Sequence, residues 1–318
     1  MEWIKKGWLF DPTRHGLDFD CSEYAQSPQT LVFDDFVRVY FSTRKKDGSG
    51  KFLSHIAFVD FSLDFSQIVN HSRQEVIPLG ELGTFDEHGI FPINPLRHGN
   101  QIWAYTCGWS RRVSVSVETS TGLAVSHDGG LTFERAGNGP VLTSSLHEPM
   151  LVGDSFVQKY GGTFHMWYIF GKVWHRPEGN EPPARVYKIA HATSADGINW
   201  QKEEGIQIIP DILDENECQA LPTVIRIGNR HHMYFCYRHA TDFRKNAARG
   251  YRLGYAYSDD LKTWNRNDAG KGIDVSVSGP DADMMCYPHI FEVNGDIYLL
   301  YNGNEFGRQG FGLAKLAR

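Results

Sequence analysis

Cysteine is scarce: five residues in 318, odd in number, scattered, and with no C-x-x-C pair. Cys21, Cys107, Cys218, Cys236 and Cys286 therefore exclude a disulfide framework or a zinc knuckle and read as reduced, mostly buried thiols. Long apolar runs are lacking too. The opening MEWIKKGWLFDP has no apolar h-region, and no stretch reaches the roughly 18 apolar residues of a spanning helix, so no membrane is expected and the cytoplasm is the expected location. Basic runs are missing from a chain of net charge −6, which argues against a nucleic-acid partner. No glycine-rich loop follows a strand and opens a helix, so no nucleotide cofactor is expected. His231-His232 lies in a hairpin with no third ligand nearby, reads as a strand-edge pair, and no metal is expected.

What the chain has in abundance is aromatic side chains (8 Trp, 14 Tyr, 20 Phe) and 32 glycines, a mixture suited to short strands and tight turns. Five segments repeat one outline: a proline opening an apolar strand, a turn, then an aromatic-rich strand. They begin SPQTLVF, FPINPLR, EPMLVGDSF, LPTVIRI and YPHIFEV, with Pro28, Pro92, Pro149, Pro222 and Pro288 as their opening prolines. A proline fits the start of a strand, where its missing N–H breaks no ladder bond. A third strand follows each hairpin, and usually a Ser-x-Asp-type turn and a fourth, as in SHDGGLTF, TSADGINW and YSDDLKTW. Asp128 and Asp196 read as turn residues there. The last repeat ends at GFGLAKLAR without a fourth strand, whereas WIKKGWLFDP at the N-terminus matches WQKEEGIQIIP after a third strand. The expected architecture is an all-β protein: one domain over residues 1–318, a five-bladed β-propeller of four-stranded antiparallel blades, the last closed by the N-terminal strand.

Residues at the starts of the inner strands of a propeller converge at one mouth. Near the five prolines stand Glu23 with Gln26 and Ser27; Asp86, Glu87 and His88; His147 and Glu148; Glu215 and Glu217; and Asp281, Asp283 and His289. Trp109, Trp174 and Tyr287 are candidates to stack on the flat face of a ligand. Every blade thus brings an acid to its entry, and carboxylates held together push each other's pKa values apart, which lets one keep its proton near neutral pH.

The blade pattern resembles the five-bladed propeller glycosidases of the arabinanase, levansucrase and invertase type over nearly the whole chain. The resemblance implies an Asp in the first blade, an Asp in the third and a Glu, within Glu-Cys, in the fourth, serving as base or nucleophile, as transition-state or pKa-modulating acid, and as general acid. HEP places Glu148 at the third-blade position, and NECQALP places Glu217-Cys218 near the fourth. The first blade departs from the pattern, with QSP and Ser27 in place of the Asp. Glu217 is then the expected acid and Glu148 its partner, with Glu23 or Asp20 as replacements for the base. The chain also resembles the propeller mannoside phosphorylases, where inorganic phosphate attacks the sugar and no enzyme base is needed. Arg44, Lys172, Arg238 and His239 are the candidate phosphate binders, beside Arg111, Arg112 and His175. Three readings stay open: a hydrolase of a small glycoside, a phosphorylase or glycosyl-transferring relative, and a sugar-binding propeller without catalysis.

Overall fold

The computed structural model describes residues 1–17, 19, 21–176 and 181–317. Their strands form five antiparallel sheets of four strands. The inner strands are Gln26–Val32, Ile90–His98, Val152–Tyr160, Cys218–Ile227 and Cys286–Val293, and each touches the next around a closed ring. Hydrogen bonds near the axis tie neighbouring blades. The Thr30 N–H donates to His289 Nε2 at 3.0 Å, Asn94 Nδ2 to Gln29 Oε1 at 3.4 Å, Val157 N–H to Asn94 Oδ1 at 2.8 Å, and Ile290 N–H to Thr223 Oγ1 at 3.2 Å. All five cysteines are buried and unbridged. Among the described residues no helix is long and apolar enough to cross a membrane.

Each inner strand carries the same irregularity near its start: two residues unpaired with the second strand. They are Ser27-Pro28, Phe91-Pro92, Asp154-Ser155, Leu221-Pro222 and Tyr287-Pro288. A proline belongs there because the position donates no ladder bond. The structure corrects the sequence reading in the third blade. Pro149 lies before the strand, and Ser155 occupies the repeated position, so the residue equivalent to Ser27 and Tyr287 is Asp154. Four of these five first residues sit in the left-handed region, with φ of 52° at Ser27, 51° at Asp154, 49° at Leu221 and 53° at Tyr287. Such a backbone costs about 1–3 kcal/mol per residue and gathers at functional sites. Here the ring gathers it at one mouth.

The N-terminal strand Trp3–Phe10 closes the fifth blade as expected, pairing from Trp3 opposite Leu316 to Phe10 opposite Phe311. Trp3 is buried, and its indole N–H donates to Tyr234 in the fourth blade at 2.8 Å. Deleting residues 1–10 therefore exposes a sheet edge and opens a seam between blades. The melting temperature should fall by on the order of 10 °C or more. A truncated chain melting with the full one would contradict this closure.

Candidate active site

The bulge residues Phe91, Asp154, Leu221 and Tyr287 line a cavity of about 630 Å³ where the inner strands begin. Its size suits a small ligand, and its walls are aromatic. Trp109 and Trp174 come from the second and third blades, Tyr187 and Tyr251 from the third and fourth, and Tyr24 and Phe306 from the first and fifth, with Phe306 edge to face with Tyr251 at 6.1 Å.

Among the described residues four carboxyl groups line the cavity: Asp154, Glu181, Asp242 and Glu305. Only Asp154 is buried; the other three are exposed on the rim. Glu181 there is paired with Lys245 at 2.7 Å and Glu305 with Arg308 at 3.4 Å. Burial pushes the Asp154 pKa up to about 7, against the opposing pull of the nearby Arg185 charge and of the Leu221 N–H. The Cys107 thiol approaches it at 4.0 Å. A carboxyl that holds its proton near neutrality and faces a ligand cavity is equipped to act as a general acid.

The same walls carry Arg44, Arg185, Arg238 and Arg244, none with a carboxylate at ion-pair distance among the described residues. Arg238 is 3 % exposed and lies 3.6 Å over the Phe243 ring. It donates to the carbonyls of His239 and Ala240 and to the Tyr187 hydroxyl, while its buried Nε has no partner. Arg185 lies 5.7 Å from the centroid of that Tyr187 ring. Arg44 donates through Nε to Gln26 Oε1 at 2.7 Å and stacks over Tyr24.

The acids at the blade entries prove to have another environment. Glu217 is fully buried. It pairs with Arg266 at 2.5 Å and accepts from the Ile212 and Leu213 N–H groups and from Gln219. Glu148 is fully buried as well, paired with Lys202 at 2.7 Å and accepting from the Tyr168 hydroxyl and the Gly205 N–H. Asp86 meets Arg135 at 2.7 Å and Asp281 meets Lys5 at 2.6 Å. The four basic partners all lie on fourth strands, two positions after a large aromatic: Trp3-x-Lys5, Phe133-x-Arg135, Trp200-x-Lys202 and Trp264-x-Arg266. The repeat is thus a latch fastening the outer strand of a blade to the loop that enters its inner strand. In the first blade the corresponding Phe65-x-Gln67 lacks the cation.

Three comparisons place the chain among known proteins. No protein-family model matches it. The uncharacterized proteins MT1551 and Rv1502 of Mycobacterium tuberculosis are each 32 % identical to it over 316 residues, 99 % of either chain. The chain belongs to their family. The beta-1,2-mannobiose phosphorylase of a Thermoanaerobacter species is 25 % identical over 174 residues, 53 % of each chain. Among solved structures, a glycoside hydrolase matches with a TM-score of 0.72 at 16 % identity, over 99 % of this chain and 91 % of that one. A thermostable family-43 glycoside hydrolase matches with a TM-score of 0.66 at 12 % identity, over 93 % and 90 %. The structural neighbours are five-bladed propeller glycoside hydrolases, and the likeness is one of fold.

Of the residues expected from sequence, Gln26, Arg44, Trp109, Trp174, Tyr287 and Arg238 line the cavity. Glu148 and Glu217 do not reach it, being held in their latches, and Asp86 is held likewise. Ser27 lies just behind the wall, its N–H donating to Asn302 and its hydroxyl buried without a partner. Glu23 pairs with Arg308 at 2.7 Å, outside the lining. His88 stacks on Trp109 with Glu87 beside it at 3.2 Å. His289 sits near the axis, where burial lowers its pKa to about 3 and keeps it neutral while it accepts from Thr30. His147, Lys172 and Asp283 are exposed, and His239 stands 3.9 Å from Asp214; none lines the cavity. Asp20 lies outside the described residues. The sequence reading missed Asp154, Arg185 and Arg244. A signal for Asp154 existed: counting back from each hairpin turn, GDS occupies the place of the X-Pro pairs.

Proposed function

We propose that the cavity is the active site of a glycoside-processing enzyme in which Asp154 is the general acid. The observation that carries this reading is one buried carboxyl, with its pKa near 7, facing an aromatic cavity of about 630 Å³. Aromatic walls suit the apolar faces of a sugar ring, and the acid suits the oxygen that leaves it.

The cleavage is read as transfer to phosphate. Hydrolysis uses two carboxyl groups, yet among the described residues the three other acids lining the cavity stand exposed on its rim. Arg185 and Arg238, both beside Tyr187, instead bring to the wall guanidiniums without acidic partners among the described residues. In this mechanism a phosphate oxygen attacks the anomeric carbon and the glycosidic C–O bond breaks. The Asp154 proton passes to the leaving oxygen, and the products are a sugar 1-phosphate and the free aglycone. The partial likeness to a mannobiose phosphorylase supports the choice.

The test is a panel of mannosides and other small glycosides with and without inorganic phosphate. Release should require phosphate and yield a sugar 1-phosphate in equal amount. Release in water alone would return the hydrolase, and binding without turnover would leave a sugar-binding propeller.

A further inference from the structure

The chain is acidic overall, with a net charge of −6, yet the cavity wall is cationic. Arg185 and Arg238 are accounted for by the phosphate acceptor. Arg44 stands over Tyr24 and Arg244 over Phe306, and Arg244 also shares the Phe243 ring with Arg238. Among the described residues Arg44 donates only through Nε, to Gln26, and Gln26 in turn donates to the Phe306 carbonyl at 2.5 Å. Arg244 is exposed and sits 4.8 Å from the Phe243 centroid and 4.7 Å from that of Phe306, with no carboxylate partner among the described residues. Burial lowers the Arg44 pKa, and the neighbouring Arg244 charge lowers it further. Arg44 reaches the Phe306 carbonyl through Gln26 and Arg244 lies over the Phe306 ring, so two like charges flank Phe306, and neither is at ion-pair distance from the rim carboxylates Asp242 and Glu305. An anion placed between them removes their repulsion and gains forked, charge-assisted hydrogen bonds.

We propose that Arg44 and Arg244 form a subsite for a phosphate monoester carried by the sugar substrate itself. Such a group holds a charge of about −1.5 to −2, close to that of the two arginines, whereas a carboxylate supplies half as much. The substrate would be a phosphorylated glycoside, with its own phosphate at Arg44 and Arg244 and the attacking phosphate at Arg185 and Arg238. This inference rests on the cavity being the sugar site, but not on the reaction that occurs there.

Titration calorimetry of the full chain with mannose 6-phosphate, mannose and mannuronate tests it. The phosphorylated sugar should bind at least about 10-fold more tightly than mannose, and Arg44→Gln or Arg244→Gln should each remove about 10-fold of that advantage. Raising the salt concentration should shrink it. Arg244 is exposed, so its variant is expected to fold even if Arg44→Gln is unstable. Equal affinity for mannose and its phosphate would overturn the proposal, as would a preference for mannuronate or an undiminished advantage in Arg244→Gln. If no glycoside is turned over but the advantage persists and falls in the variants, the subsite stands and the enzyme reading falls.

Discussion

Asp154→Asn should lose about 10²–10⁴-fold in kcat on glycosides with poor leaving groups, because the amide keeps the shape of the carboxyl but has no proton to give. Activated aryl glycosides, whose leaving groups need little protonation, should lose far less. The wild-type rate on poor leaving groups should also fall as pH rises through about 7, where Asp154 ionises. Stability carries the same signature. The folded chain holds this proton more tightly than the unfolded chain, whose carboxyl ionises near 3.8. Between those values the native state binds more protons, so stability declines as pH rises from about 4 to about 7 and is flat above both. Asp154→Asn should lose that component of the slope and be the more stable protein at pH 8. An Asn variant with near-normal kcat on a poor leaving group would remove Asp154 from the chemistry.

The fold is legible because its signals are local. X-Pro pairs, Gly-Asn and Asn-Gly hairpin turns and Ser-x-Asp turns each specify a few residues of backbone, and repetition supplies the ring. Even the closure is readable, since WIKKG and WQKEEG are the same fourth strand twice. The site is less legible for two physical reasons. In the third blade, Ser155 replaces the repeated proline while Pro149 stands a few residues earlier, so the proline pattern points to Glu148 instead of Asp154. The acids at the blade entries also imitate a convergent catalytic set. Their true partners lie far away in sequence: Lys202, the partner of Glu148, is 54 residues on, in a fourth strand of two residues, too short to show a period. Arg185 and Arg244 reach the cavity from a third strand and from a loop between strands, where sequence periodicity marks nothing special.

The latches supply the second large effect. Arg266→Met removes the counter-charge of Glu217, a carboxylate with no exposure to water, and an uncompensated buried charge of this kind costs about 3–5 kcal/mol. For a chain of this length that lowers the melting temperature by on the order of 10 °C. Glu217→Gln should cost less, because Arg266 keeps Asp268 at 3.0 Å and the amide oxygen can still accept from the Ile212 and Leu213 N–H groups. The double variant should be more stable than Arg266→Met alone, since no charge is then left stranded. Thermal melts of the three variants measure these differences, and three equal, small losses would mean that the latch bears little of the fold. Turnover by folded Glu217→Gln separates the latch from chemistry. A loss of about 10²-fold or more on poor leaving groups, spared on activated ones, would mark Glu217 as a proton donor. The ion pair with Arg266 and the lack of any cavity surface lead us to expect no such split.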